Sequence, residues 1–200
     1  MGKVVGVKES LKIGDERAEL LALLKKKSVF HGEFTLASGA KSSYYIDCRL
    51  TTFDSLGATL VGKLMHELIR NEAQRRGVQI DGVGGLTMGA DPVALATSMA
   101  SLESGRPLQC FAVRKAPKSH GQTRLIEGNF KSGDTVVVID DVVTRGESTI
   151  TAINAVLKEG GKVAFVAVLV DRQEGGRDKI EAMGYPVVSL FRREDILSKP

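Results

Sequence analysis

Two adjacent carboxylates, Asp140 and Asp141, follow the β-branched run Val136-Val137-Val138-Ile139 and precede Val142, Val143 and the segment Thr144-Arg145-Gly146-Glu147-Ser148-Thr149. The apolar run predicts a strand buried on both faces, with the acids standing where that strand should end. Helical periodicity follows from Ile150 to Lys158. At the carboxyl end of a parallel strand an open α/β sheet leaves a crevice where ligands bind. The first N–H groups of the next helix have no intrahelical acceptor and carry the positive end of its dipole. Gly146 lets a ligand approach the backbone, and Thr144, Ser148 and Thr149 add hydroxyl donors, so this turn suits a phosphate. Carboxylates would repel that phosphate; sugar hydroxyls, or magnesium with its water shell, are their natural partners. A ligand with a phosphate at one end and a diol at the other is a ribose 5-phosphate. A plainer use of the acid pair is to end a strand and cap a helix.

The elements that must position this segment alternate along the chain. Glu16 to Lys27, preceded by Asp15, is acidic at its start, basic at its end and leucine-rich between, which predicts a short amphipathic helix. Phe30, Phe34 and Leu36 on one side of the polar turn 37–43, with Tyr44, Tyr45 and Ile46 on the other, predict a β-hairpin. Its aromatics suit either a satellite core or a hood over a planar ligand. Asp54 is placed to cap a helix over residues 55–75, closed by Gly77. Ile80 to Pro92 reads as a short strand and a glycine-rich turn before the helical residues 93–102. Its spacing does not fit the dinucleotide fingerprint, and it lacks the P-loop lysine. Leu108 to Val113 is a predicted strand entering an irregular cationic stretch with Arg114, Lys115, Lys118, His120 and Arg124, which suits an anionic small molecule. Lys162 to Val170 is another strand, and Arg172 stands just past its end, either exposed or offering its planar fork to a carboxylate. A helix over 177–183, a strand over 186–190 and a short terminal helix complete an α/β pattern.

Two hundred residues, 42% hydrophobic and 26% charged, suit one globular domain. No apolar run approaches the roughly 20 residues of a membrane span. The amino terminus lacks a signal-peptide core, so the expected location is cytoplasmic. Cys48 and Cys110 are too far apart in sequence for a zinc motif. A net charge of +4 with no Trp gives no reason to expect a nucleic-acid or membrane partner.

The string of apolar residues, Asp-Asp, two more apolar residues and Thr-x-Gly-x-Ser/Thr resembles the phosphoribosyl pyrophosphate (PRPP) motif of the type I phosphoribosyltransferases. The segments 34–49, 84–94, 111–121, 139–149 and 169–176 together resemble the orotate phosphoribosyltransferases within that family. The resemblance implies the type I phosphoribosyltransferase fold over residues 1–200, a central mainly parallel sheet flanked by helices, with an N-terminal hood contributed mainly by 28–50. It implies transfer of the 5-phosphoribosyl group from PRPP to orotate, giving orotidine 5-monophosphate and pyrophosphate in pyrimidine synthesis. Asp140 and Asp141 would hold the ribose hydroxyls, and the loop Val142, Val143, Thr144, Arg145, Gly146, Glu147, Ser148 and Thr149 the 5-phosphate. Tyr45, Ile46, Thr144 and Arg172 would contact orotate. Arg114, Lys115, Lys118 and His120 match a lid that binds PRPP in the neighbouring subunit's site, implying a homodimer. Lys118, His120 and Asp141 would stand nearest the chemistry. The implied metal is Mg2+, held mainly by PRPP and reached through water by Asp140 or Asp141. Where this chain has Ala37 and Met88-Gly89, some relatives carry lysines that contact the phosphates. Transfer to another base, or PRPP sensing by an RNA-binding regulator, are the alternatives.

Overall fold

The computed structural model describes residues 13–35, 41–116 and 125–198. Helix α1 (Ile13–Ser28) leads into the antiparallel hairpin of β1 (Val29–Thr35) and β2 (Lys41–Ile46), followed by the single turn α2 (Arg49–Thr52) and the long helix α3 (Ser55–Arg76). Strand β3 (Gly82–Leu86), helix α4 (Ala90–Ala100), strands β4 (Gln109–Val113) and β5 (Ile126–Gly128), strand β6 (Thr135–Val143) and helix α5 (Glu147–Lys158) follow. Strand β7 (Lys162–Asp171), helix α6 (Gly176–Ala182), strand β8 (Val187–Arg192) and helix α7 (Arg193–Leu197) complete the fold. Helix α3 is capped as its sequence predicts: the Asp54 carboxylate accepts from the Gly57 N–H at 3.0 Å, and Gly77 closes the helix in the left-handed region.

The main sheet runs β5-β4-β3-β6-β7-β8, parallel throughout except for the antiparallel edge strand β5. Counted in chain order, the parallel strands lie 2-1-3-4-5, so the chain reverses direction across the sheet between β3 and β6. Helices leaving those two strands go to opposite faces, and a crevice opens at their carboxyl ends. Strand β6 shows why both faces are dry. Val137 and Ile139 join a core shared with α1, α3 and α4, while Val136 and Val138 join another shared with α5 and α6.

Four local expectations are corrected. Strand β6 continues through the acid pair to Val143, because Val142 and Val143 still pair with Val170 and Asp171 of β7. Helix α5 begins at Glu147, three residues ahead of the apolar periodicity, because Gly146 makes the turn at φ 83°. Lys41 to Ser43 belong to β2, paired against Thr35 and Phe34, and Leu36 to Ala40 lie outside the described residues. Gly84 and Gly85 lie within β3, so the turn is only Thr87 to Gly89. Strand β5 has no counterpart in the sequence reading.

Candidate active site

The crevice between the ends of β3 and β6 is a cleft of about 480 Å³. Its walls are Tyr45 to Arg49 from the hairpin and its exit, Leu86 at the end of β3 with Thr87 to Gly89 after it, Lys115 after β4, and Asp140, Asp141, Val142, Thr144 and Ser148 around the end of β6. Residues from four separate stretches of chain therefore meet at the switch point.

Strand alternation divides the acid pair. Side chains two apart share a face, so Asp140 follows Val136 and Val138 toward α5, whereas Asp141 follows Val137 and Ile139 toward the hairpin side. Asp140 is buried and its Oδ2 accepts from Ser148 Oγ at 2.7 Å and Thr149 Oγ1 at 2.8 Å. Its Oδ1 accepts from the Asp141 N–H at 3.1 Å. Asp141 Oδ1 accepts from the Val142 N–H at 2.9 Å, and its carboxylate lies under Gly89. A Cβ at residue 89 would stand 2.4 Å from Asp141 Oδ1, so only glycine leaves that carboxylate its place.

Burial raises the pKa of Asp140 despite the hydroxyls of Ser148 and Thr149. Burial, and then the charge of Asp140, push Asp141 up to about 7. Two carboxylates this close and this dry do not ionise freely. A ligand diol donating hydrogen bonds, or a cation, would favour the doubly charged form. Cys48 lines the same cleft, and burial, reinforced by the two acids, holds its thiol far above the usual range, neutral and unreactive.

The loop that follows turns from β6 into α5. Ser148 and Thr149 occupy the first turn of α5, and Thr144 and Ser148 line the cleft. Val143 is core, and Arg145 and Glu147 point to solvent, so those side chains lie apart from the cleft. The loop is braced from behind, where the Gly176 N–H donates to the Thr144 carbonyl at 2.8 Å.

Tyr45 and Ile46 line the cleft, and Ile46 also joins the core through its buried side chain. Arg172 is only 5% exposed and sits beneath the hairpin rather than among the lining residues. Its guanidinium lies over the Tyr44 ring, 5.2 Å from the centroid, and Nη2 stands 2.7 Å from Glu174 Oε1. Its Nε is buried without a partner, a donor left unmet among the described residues. Gln173, at φ 55°, turns the chain sharply there, its N–H donating to Asp171 Oδ1 at 2.8 Å. Lys115 lines the cleft, and Arg114 lies 3.6 Å from Glu127 on β5. Lys118, His120 and Ala37 lie outside the described residues.

Sequence reasoning missed Arg49. It lines the cleft beside Asp141, yet in the sequence it only closes the resemblance segment 34–49, with no periodic signal and no role assigned to it. Its neighbour two positions back, Asp47, was the available hint, since a carboxylate at that distance can clamp a guanidinium.

Comparison with known proteins agrees with this geometry. No family model matches the chain. The orotate phosphoribosyltransferase of Aquifex aeolicus is 43% identical over 185 residues, spanning 91% of this chain and 98% of that protein. That of Mycobacterium tuberculosis strain H37Rv is 43% identical over 183 residues, 92% of this chain and 97% of that protein. A crystal structure of the Mycobacterium tuberculosis enzyme in complex with PRPP superposes with a TM-score of 0.76 at 40% identity, covering 90% of this chain and 98% of that one. The adenine phosphoribosyltransferase of Saccharomyces cerevisiae, 21% identical with a TM-score of 0.59 over 86% of this chain and 99% of that one, shares the fold alone. With relatives this similar over nearly the whole of both chains, the chain belongs to the orotate phosphoribosyltransferase family.

Proposed function

We propose that this chain transfers the 5-phosphoribosyl group of PRPP to N1 of orotate, forming orotidine 5-monophosphate and pyrophosphate in pyrimidine synthesis. The observation that carries the reading is the junction of acid pair, hydroxyl-bearing helix start and hairpin around one cleft. The N1 lone pair of orotate attacks C1 of the ribose as the C1–O bond to pyrophosphate breaks. The electron pair leaves on the pyrophosphate, whose oxygens take up the N1 proton.

In this reading Asp140 and Asp141 accept from the ribose hydroxyls, and the start of α5 holds the 5-phosphate with its free N–H groups. Ser148 and Thr149 turn from Asp140 toward the ligand only as far as the ribose replaces them as donors. Tyr45 and Ile46 bound the base, and the unmet Nε of buried Arg172 awaits its carboxylate. The protein's main contribution is positioning, together with stabilisation of the charge growing on the leaving group.

The donor set fits a magnesium ion carried chiefly by the diphosphate of PRPP. Each acid already has an oxygen committed to protein donors, and Asp141, facing the cleft without hydroxyl partners, is the better placed to meet a hydrated ion. Bound there, magnesium would neutralise phosphate charge. The lid residues Arg114, Lys118 and His120 would serve the neighbouring subunit's site in a homodimer, whereas Lys115, expected there with them, lines the cleft of its own chain. An exposed apolar face supports that assembly: Leu95, Met99 and Leu102 stand open to solvent on and just after α4, and Met88 at the cleft rim continues it. A cytoplasmic enzyme fits these substrates; among the described residues no helix is long and apolar enough to cross a membrane.

The test is pyrophosphate release from PRPP and magnesium in the presence of orotate, uracil, adenine or hypoxanthine in turn. Release with orotate alone is expected; release with another base in preference to orotate would displace the reading.

A further inference from the structure

We infer that Arg49 is a pyrophosphate-binding residue, held in advance by Asp47 to receive the diphosphate of PRPP and the pyrophosphate that leaves. The inference rests on the proposed PRPP chemistry and adds to it a residue outside the phosphate loop and the lid.

The cleft carries two buried carboxylates, and a ligand bearing three phosphates must be held there against them. Among the described residues lining it, only Arg49 and Lys115 are cationic. Neither Met88 nor Gly89 offers charge from the turn above Asp141. Arg49 lies close enough to Asp141 for its charge to favour the ionised carboxylate, which puts it on the Asp141 side of the cleft, away from the phosphate loop. A PRPP molecule with its 5-phosphate on α5 and its hydroxyls on the acids has its diphosphate beyond the ribose, on the other side.

The guanidinium is set for this task. Nε donates to Asp47 Oδ1 and Nη2 to Asp47 Oδ2, both at 2.8 Å, and the Arg49 backbone N–H donates to Oδ1 at 3.1 Å. This clamp uses the side-on edge of the guanidinium. Nη1 and the second hydrogen of Nη2 form the end-on edge, free for a second anion. The support beneath is rigid: the Asp47 N–H donates to the Ser28 carbonyl at 2.9 Å, and Ser28 and Thr51 share a buried hydroxyl contact at 2.7 Å. With 49% of its side chain exposed, Arg49 remains reachable from the cleft. A guanidinium fixed before binding loses little entropy when it takes a phosphate.

The experiment compares wild type, Arg49→Ala and Arg49→Lys in steady-state kinetics, with calorimetric binding of inorganic pyrophosphate and of ribose 5-phosphate. Arg49→Ala is expected to lower kcat/KM for PRPP, and to weaken pyrophosphate binding, by about 10- to 100-fold, the scale of a charge-assisted contact. Arg49→Lys, which keeps the charge but loses the fork, recovers part of that loss. Ribose 5-phosphate binding, the KM for orotate and the unfolding temperature stay close to wild type. Equal losses for ribose 5-phosphate and pyrophosphate, or a change confined to orotate, would overturn the assignment. If the wild type released no pyrophosphate with orotate, the function would be misread. The Arg49-dependent binding of inorganic pyrophosphate would still decide this residue's role.

Discussion

Asp141 is the residue where geometry and charge conflict most. Burial and Asp140 raise its pKa to about 7, well above the ordinary 3.8. A raised carboxylate pKa means that the folded state holds the proton more tightly than the unfolded chain. The group's contribution therefore favours folding below about pH 4, and that advantage is lost as pH rises toward 7. Above 7 the ionised pair is a standing cost to the fold, and a ligand diol offsets it. Asp141→Asn is accordingly expected to raise the unfolding temperature at pH 8 while weakening PRPP binding. In the wild type, PRPP affinity should fall as pH drops through 7, and the variant should lose that limb of the profile. An Asp141→Asn protein less stable at pH 8 than wild type would show that the pair is not strained by burial. The existence of the pair was legible in the sequence. Its division of labour was not, because that depends on which face of β6 each side chain takes, and hence on how far the strand runs.

At the level of elements, β6 and α5 work as one unit through Asp140. Two hydroxyls of the first helical turn are spent on a carboxylate at the strand's end, fixing the turn in which a phosphate would sit. Thr149→Val keeps the side chain's volume but removes a buried donor to a buried carboxylate. Such a loss costs about 1–3 kcal/mol, to be read from urea unfolding; an unchanged midpoint would mean that Asp140 finds another donor. Most elements were foreseeable from periodicity and caps: Asp54 and Gly77 bracket α3 almost to the residue. Helix α5 was expected late because no side chain caps it and Gly146 makes the turn. Strand β5 escaped notice because three residues, Ile126 to Gly128, carry no period, and pairing with β4 alone defines them. Arg49 was hidden for a similar reason, since the hairpin's exit brings it to the cleft only after the chain has folded.

Across the whole molecule, the order of the sheet explains why one cleft gathers residues from positions 45 to 148. The switch between β3 and β6 opens the crevice, and the hairpin closes one side of it. The apolar face of α4 adjoins the same end of the sheet through Met88, so a second subunit docking there would stand within reach of the cleft. Sedimentation equilibrium should accordingly give about twice the 21.4 kDa chain mass, with Met99→Glu shifting it toward one chain. A wild-type protein that sediments as a single chain at micromolar concentration would rule the dimer out. The cleft and its reaction are tested together by one assay: pyrophosphate release from PRPP and magnesium with orotate set beside uracil. Release is expected to require orotate and to match its consumption one for one. Release that is indifferent to the base, or absent with orotate while PRPP still binds, would contradict it.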